Sequence, residues 1–90
     1  MRAFEIHLNG KKLCLAGIDK GILAVTVNWV ARPRRSDEVG GFAVGGLIDP
    51  TEQQVEWTNR KLHIGDDLRI KIVEKDAVDK PRKRKSKSRR

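Results

Sequence analysis

The sequence predicts an all-β domain: about six antiparallel strands in a small barrel or sandwich, followed by a disordered basic C-terminus. Three observations point there. Apolar and polar residues alternate on both sides of Asn9-Gly10, β-branched runs recur at short spacing between glycine-rich turns, and a helical apolar stripe is hard to draw anywhere.

The first hairpin is specified twice. In "AFEIHLNGKKLCLAG", Asn9 and Gly10 tolerate the positive φ that both central positions of a two-residue type I′ turn demand. Closing the chain there predicts Leu8 opposite Lys11, Ile6 opposite Leu13 and Phe4 opposite Leu15, all on one face. Glu5, His7, Lys12 and Cys14 are then expected on the other face. After the turn "AGIDKG", the run "ILAVTVNWVA" predicts a strand with Leu23, Val25, Val27 and Trp29 on one side. Its second side is only weakly polar, which suggests a central strand covered on both faces.

"RPRRSDEVGG" reads as a loop, and "FAVGGLI" as a short strand with a bulge or close backbone approach at Gly45-Gly46. Residues 49–62 admit two readings. Asp49, Pro50 and Glu52 would suit a helix start, yet Val55 and Trp57 alternate with polar neighbours. A turn at Asp49–Thr51 followed by a strand is the expectation. "DDLRIKIVEK" predicts the last strand, with Leu68, Ile70 and Ile72 inward and Arg69 and Lys71 outward. Residues 1–76 are thus expected to form the β domain, and residues 77–90 a tail without periodicity.

The charge is unevenly distributed. The chain has 90 residues with 20 basic and 12 acidic side chains, a formal net charge of +8. Eight of the basic residues lie in "KPRKRKSKSRR", which leaves 12 basic against 12 acidic residues before Lys80. The folded part is therefore neutral overall, and the whole excess belongs to the terminal run. One Cys and two His allow neither an intramolecular disulfide nor a four-ligand zinc site, so a reducing, cytoplasmic setting is expected, with no metal or other cofactor. No stretch approaches the roughly 20 apolar residues of a membrane-spanning helix.

The catalytic patterns in the sequence are incomplete. His7 and Cys14 are expected as diagonal neighbours on the exposed hairpin face, but a carboxylate at Glu5 beside the thiol would raise its pKa, and no third group orients the imidazole. Gly40 to Gly45 and Gly41 to Gly46 have P-loop spacing, yet the Lys and Ser/Thr that would reach phosphate and metal are absent. Asp37-Glu38 and Asp66-Asp67 read as solvated loop ends, since adjacent acids on an extended chain point apart. A Cys-dependent enzyme is the third reading, behind two kinds of binding module.

The first of these modules is a polyanion binder. Lys80, Arg82, Lys83, Arg84, Lys85, Lys87, Arg89 and Arg90 could neutralise phosphates of RNA or DNA and release counterions, with little base preference. Arg32, Arg34 and Arg35 would extend that footprint if the fold brings loop and tail together. Phe4, Trp29 and Trp57 fall on faces expected in the core, which argues against base stacking by the domain. The blander account of the run is a solubility tail or a nuclear-import-like address in "PRKRK". The second module is a protein-interaction domain using an edge strand or the 32–41 loop, with oligomeric state left open.

The spacing of "HLNGKKLC", "VNWV", "VGGL", "VEW" and "IGDDLRIKIVE" resembles a family of short bacterial β-rich proteins, over roughly residues 3–75. The resemblance implies a β fold. It brings no activity, cofactor or site, and it excludes the basic run.

Overall fold

A computed structural model of the chain describes residues 1–31 and 39–85. The Asn9-Gly10 turn takes the expected backbone, with φ of 52° and 84°, and joins β1 (Arg2–Leu8) to β2 (Lys11–Ile18). β3 (Gly21–Val30), β4 (Val39–Ile48), β5 (Gln53–Leu62), β6 (Leu68–Glu74) and β7 (Lys83–Lys85) complete the order. β1 pairs with β2 on one side and β6 on the other; the second sheet runs β3-β4-β5-β7, and every pairing is antiparallel. The result is a two-layer β-sandwich rather than a closed barrel. Residues 53–62 are a strand after a turn at 49–52, as expected, and no helix is present among the described residues. None therefore is long and apolar enough to cross a membrane.

The hairpin register departs from the simple alternation. A bulge between Ile6 and His7 leaves Leu8 opposite Lys11 and His7 opposite Lys12, but places Ile6 opposite Cys14 and Phe4 opposite Ala16. One extra residue on β2 reverses the facing of everything beyond it. Cys14 thus enters the core, where its residue is 7% exposed, and Leu15 turns to the outer face. The expectation of an exposed Cys14 opposite Glu5 is corrected accordingly.

Ile6, Cys14 and Ala16 from the first sheet meet Phe42, Val44, Val55 and Trp57 from the second. A second bulge, between Val44 and Gly45, offsets β4 against β5. It lets Val55, Trp57 and Thr58 all be buried despite their uneven spacing. A Cβ at Gly45 would stand 2.6 Å from the Val55 carbonyl oxygen, which is the close approach the glycine pair predicts.

The sheets close on each other along β2, the strand of the first sheet whose backbone approaches β3, β4 and β5. They open toward β6. Ile70 and Ile72 pair with Ile6 and Phe4 and share their face, as expected, but are left exposed, Ile72 at 71%. β3, expected as a central strand, is an edge strand, and most of its residues are exposed. Trp29, expected in the core, is 42% exposed for the same reason. Its ring lies over Gly40, where any Cβ would collide with it.

The C-terminal segment differs most from the sequence-based expectation. Of the run 77–90 expected to be disordered, residues 77–85 follow a defined path; residues 86–90 lie outside the described residues. Val78 packs against Gly17 on the outer face of the first sheet, where a Cβ on the glycine would stand 2.8 Å from the valine Cγ1. Asp79 then grips the edge of β2: its N–H donates to the Leu15 carbonyl (2.9 Å) and its Oδ2 accepts from the Leu15 N–H (2.8 Å). Its carbonyl accepts from Trp57 Nε1 of the other sheet at 2.7 Å. The physical reason is unmet hydrogen-bonding capacity: Leu15 offers its N–H and carbonyl to the strap at the sheet's edge, and the buried indole N–H of Trp57 needs an acceptor.

At the opposite end, Asp66 is a fastener rather than the solvated loop end expected of it. Its Oδ1 accepts from Asn9 Nδ2 (3.0 Å) and its Oδ2 from the His63 N–H (2.7 Å), while Asn9 Oδ1 accepts from the Asp67 N–H (2.8 Å). The first hairpin turn is thereby tied to the β5–β6 connection. The Asn9 amide, and then the His63 N–H, hold the Asp66 carboxyl below its ordinary range.

Asp79→Ala is expected to lower stability by about 1–3 kcal/mol, because Leu15 loses a charge-assisted partner in a part-buried setting. Asp79→Asn, which retains an acceptor oxygen, should restore part of that loss in urea denaturation. The depressed Asp66 gives a signed pH effect. Its contribution is present above its unfolded pKa, about 3.9, and is lost as pH falls through the lower folded value. Asp66→Asn should therefore flatten the acid limb of a stability–pH profile below about pH 4 relative to wild type.

Candidate polyanion interface

The basic run begins at Lys80, directly after the Asp79 clasp, so its first cations take their positions from the fold. The Arg82 N–H donates to the Glu56 carbonyl at 2.9 Å, setting the register in which Lys83 faces Glu56, Arg84 faces Val55 and Lys85 faces Gln54. Arg82 reaches the Glu56 carboxylate at 3.3 Å, and Arg84 donates to Gln53 Oε1 at 3.2 Å. Strand alternation then separates the remaining cations. Lys83 and Lys85 project from one face of β7, about 6.8 Å apart along the strand, and Arg84 from the other. Lys80, Lys83 and Lys85 are exposed and make no ion pair among the described residues.

Beside β7 lies a cleft of about 460 Å³ between strap and sheets. Ile18, Ile48, Trp57 and Pro81 contribute its apolar lining, and the charges of Lys20, Lys80 and Arg84 are matched there by Asp19, Asp49 and Asp79. Trp57 is buried with its N–H committed to Asp79, so its ring is no platform for a base. Lys20 belongs to this cluster although it lies sixty residues from Lys80 in sequence; nothing in its local sequence marks it.

Of the residues proposed from sequence to contact polyanion, Lys80, Arg82, Lys83, Arg84 and Lys85 are brought to one edge of the second sheet. Lys87, Arg89 and Arg90, with Arg32, Arg34 and Arg35, lie outside the described residues. The strand ends that carry the loop do have positions. Val30 pairs with Val39, and Gly40 with Leu62, at the end of the sheet remote from β7, which pairs with Gln54–Glu56. Gly40 and Gly46 are six residues apart on β4, about 20 Å. The described ends of the loop thus lie far from β7.

The thiol and imidazole are also kept apart. Cys14 faces the core, whereas His7 lies on the outer face with Nε2 3.5 Å from a Glu5 oxygen. Lys12 stands 3.7 Å from the other Glu5 oxygen. His7, followed by Lys12 and Lys71, lowers the Glu5 pKa. Burial raises that of Cys14, and the Asp79 carboxylate adds to the effect. Among the described residues no group of three or more His, Cys, Asp or Glu could hold a metal ion.

No family model, curated protein or solved structure matches the chain.

A buried thiol with a raised pKa should react slowly. Cys14 is expected to resist an aromatic disulfide reagent at neutral pH in the native protein and to react fully once urea unfolds the chain. Rapid labelling of the native form would show that the β2 bulge does not hold the side chain inward.

Proposed function

We propose that the protein is a binding module for an extended polyanion, nucleic acid being the class whose chemistry fits. The observation supporting this is the anchoring of the basic run: Arg82, Lys83, Arg84 and Lys85 are held along the β5 edge instead of hanging free. Cations already fixed to a sheet lose less conformational freedom on meeting phosphates than those of an unstructured tail. Lys80, Lys83 and Lys85 provide charge not engaged in ion pairs among the described residues. Lys87, Arg89 and Arg90 continue the run in sequence.

Contacts of this kind are made to phosphate and carry little base preference. Phe42 and Trp57 are buried, and the half-exposed Trp29 lies over Gly40 on β3, at the opposite edge of the sheet from β7, so neither the buried rings nor Trp29 stands beside the basic strand as a stacking surface. The expected behaviour is salt-sensitive binding of mixed RNA and DNA with weak sequence discrimination.

A salt titration tests the proposal. Affinity of the full chain should fall with a log–log slope of several units, and each cation removed should reduce that slope by about 0.7–0.9. Lys83→Gln combined with Lys85→Gln should therefore lower it by about 1.4–1.8 and weaken binding to all sequences alike. Absence of binding by the full chain at low salt, or an affinity indifferent to salt, would refute it.

A further inference from the structure

We infer that β3 is a self-association edge, at which a second copy of this chain pairs antiparallel to form a continuous eight-stranded sheet. This goes beyond polyanion binding and does not depend on it. It begins from the edges of the two sheets, each of which exposes backbone groups to a potential partner strand. The β2 edge is engaged at Leu15 by Asp79. β7 consists of Lys83, Arg84 and Lys85, so self-pairing sets cation against cation. β6 meets the same obstacle: centring a self-pair on Ile70 opposes Arg69 to Lys71, and centring it on Lys71 opposes that lysine to itself.

β3 lacks these protections. From Gly21 to Val30 it runs ten residues with no charge and no proline. The exposed large apolar residues concentrate there: Ile22, Val27, Trp29 and Val30 lie on β3, and Val39 is paired beside it.

Self-pairing also satisfies the geometry. A two-fold axis normal to the sheet keeps each face continuous, so paired residue numbers must sum to an even number. Gly21, at φ 129°, leaves extended conformation, so Ile22–Val30 is the usable span and Thr26 its midpoint. With Thr26 on the axis, Leu23 faces Trp29 of the second copy, Val25 faces Val27, and Ile22 faces Val30. The exposed outer part of the Leu23–Trp29 face is thereby covered by its own counterpart. The basic β7 strands end at opposite margins of the joined sheet, about 34 Å apart at about 4.8 Å per strand, well beyond the screening length at physiological salt.

Sedimentation of the full chain over a concentration series, combined with hydrogen exchange, tests the inference. Wild type should form a dimer, and exchange at β3 amides should slow as concentration rises while β6 amides stay unchanged. Thr26→Lys would place two ammonium groups together on the axis and should weaken association at least about a hundredfold, with an unaltered circular dichroism spectrum. The excess charge of each copy lies in its terminal run, far from β3, so added salt should change dimerisation little, unlike its effect on polyanion binding. A wild type that stays monomeric, protection at β6 or β7 instead of β3, or a Thr26→Lys chain that is folded and still dimeric would each overturn the inference. Should Thr26→Lys fail to fold, the exchange pattern of wild type alone decides.

Discussion

One residue, Asp79, ties the two sheets to each other by hydrogen bonds at the seam where their backbones come closest. Its backbone and carboxylate occupy both hydrogen-bonding groups of Leu15 on β2, and its carbonyl takes the indole proton of Trp57 on β5. A chain this short has little apolar area to bury, and its sheets meet closely along one strand only. A polar clasp at that seam adds what the core cannot. It also solves two local problems at once, an edge strand with open backbone groups and a buried indole without an acceptor. Val78 completes the strap by packing against Gly17, the residue paired with the fully buried Ala3, on a face otherwise lined by Glu5, His7 and Lys12.

The open side of the sandwich follows from the same arrangement. Because the backbones approach along β2, β6 at the other edge of the first sheet leaves Ile70 and Ile72 in solvent, and β3 at the edge of the second leaves Val27 and Trp29 exposed. Arg69 and Lys71 make β6 an unattractive template for its own copy, and three cations do the same for β7. Among the edge strands, only β3 is long and uncharged. Of its apolar residues, Leu23 and Val25 pack against the core and Trp29 shields Gly40, while Ile22 and Val27 are more than half exposed.

Local features were readable in the sequence and long-range ones were not. Asn9-Gly10 announced its turn because few dipeptides accept positive φ twice, and Val55 and Trp57 announced an inward face of β5 through alternation alone. Cys14 was misplaced because a bulge inserts a residue without any glycine to mark it; the alternation of "KKLCLAG" continues unbroken through Leu13. β3 looked central because β-branched residues on both faces suit a covered strand. An edge strand that awaits a partner has the same composition. The clasp was the least visible feature. Val78 before Asp79, a lone apolar side chain in "KDAVDKP", was its one local trace, and hydrogen bonds over 64 and 22 residues of separation leave no periodic signal.

The strap also explains why the basic run and the fold should be thermodynamically coupled. β7 has only three residues and is held by its pairing to β5, by Arg82 at Glu56 and by the Asp79 clasp just before it. A short edge strand of this kind opens at much lower free energy than a core strand. Its own charges work against closure, since Lys83, Arg84 and Lys85 repel one another when brought into line. A polyanion laid along β7 removes that repulsion, so on the proposed function binding and strap closure favour each other by linkage. On the same reading, the stability that this repulsion costs the empty strand is recovered when a ligand of opposite charge binds, while Arg82 at Glu56 and Arg84 at Gln53 keep the strand in register.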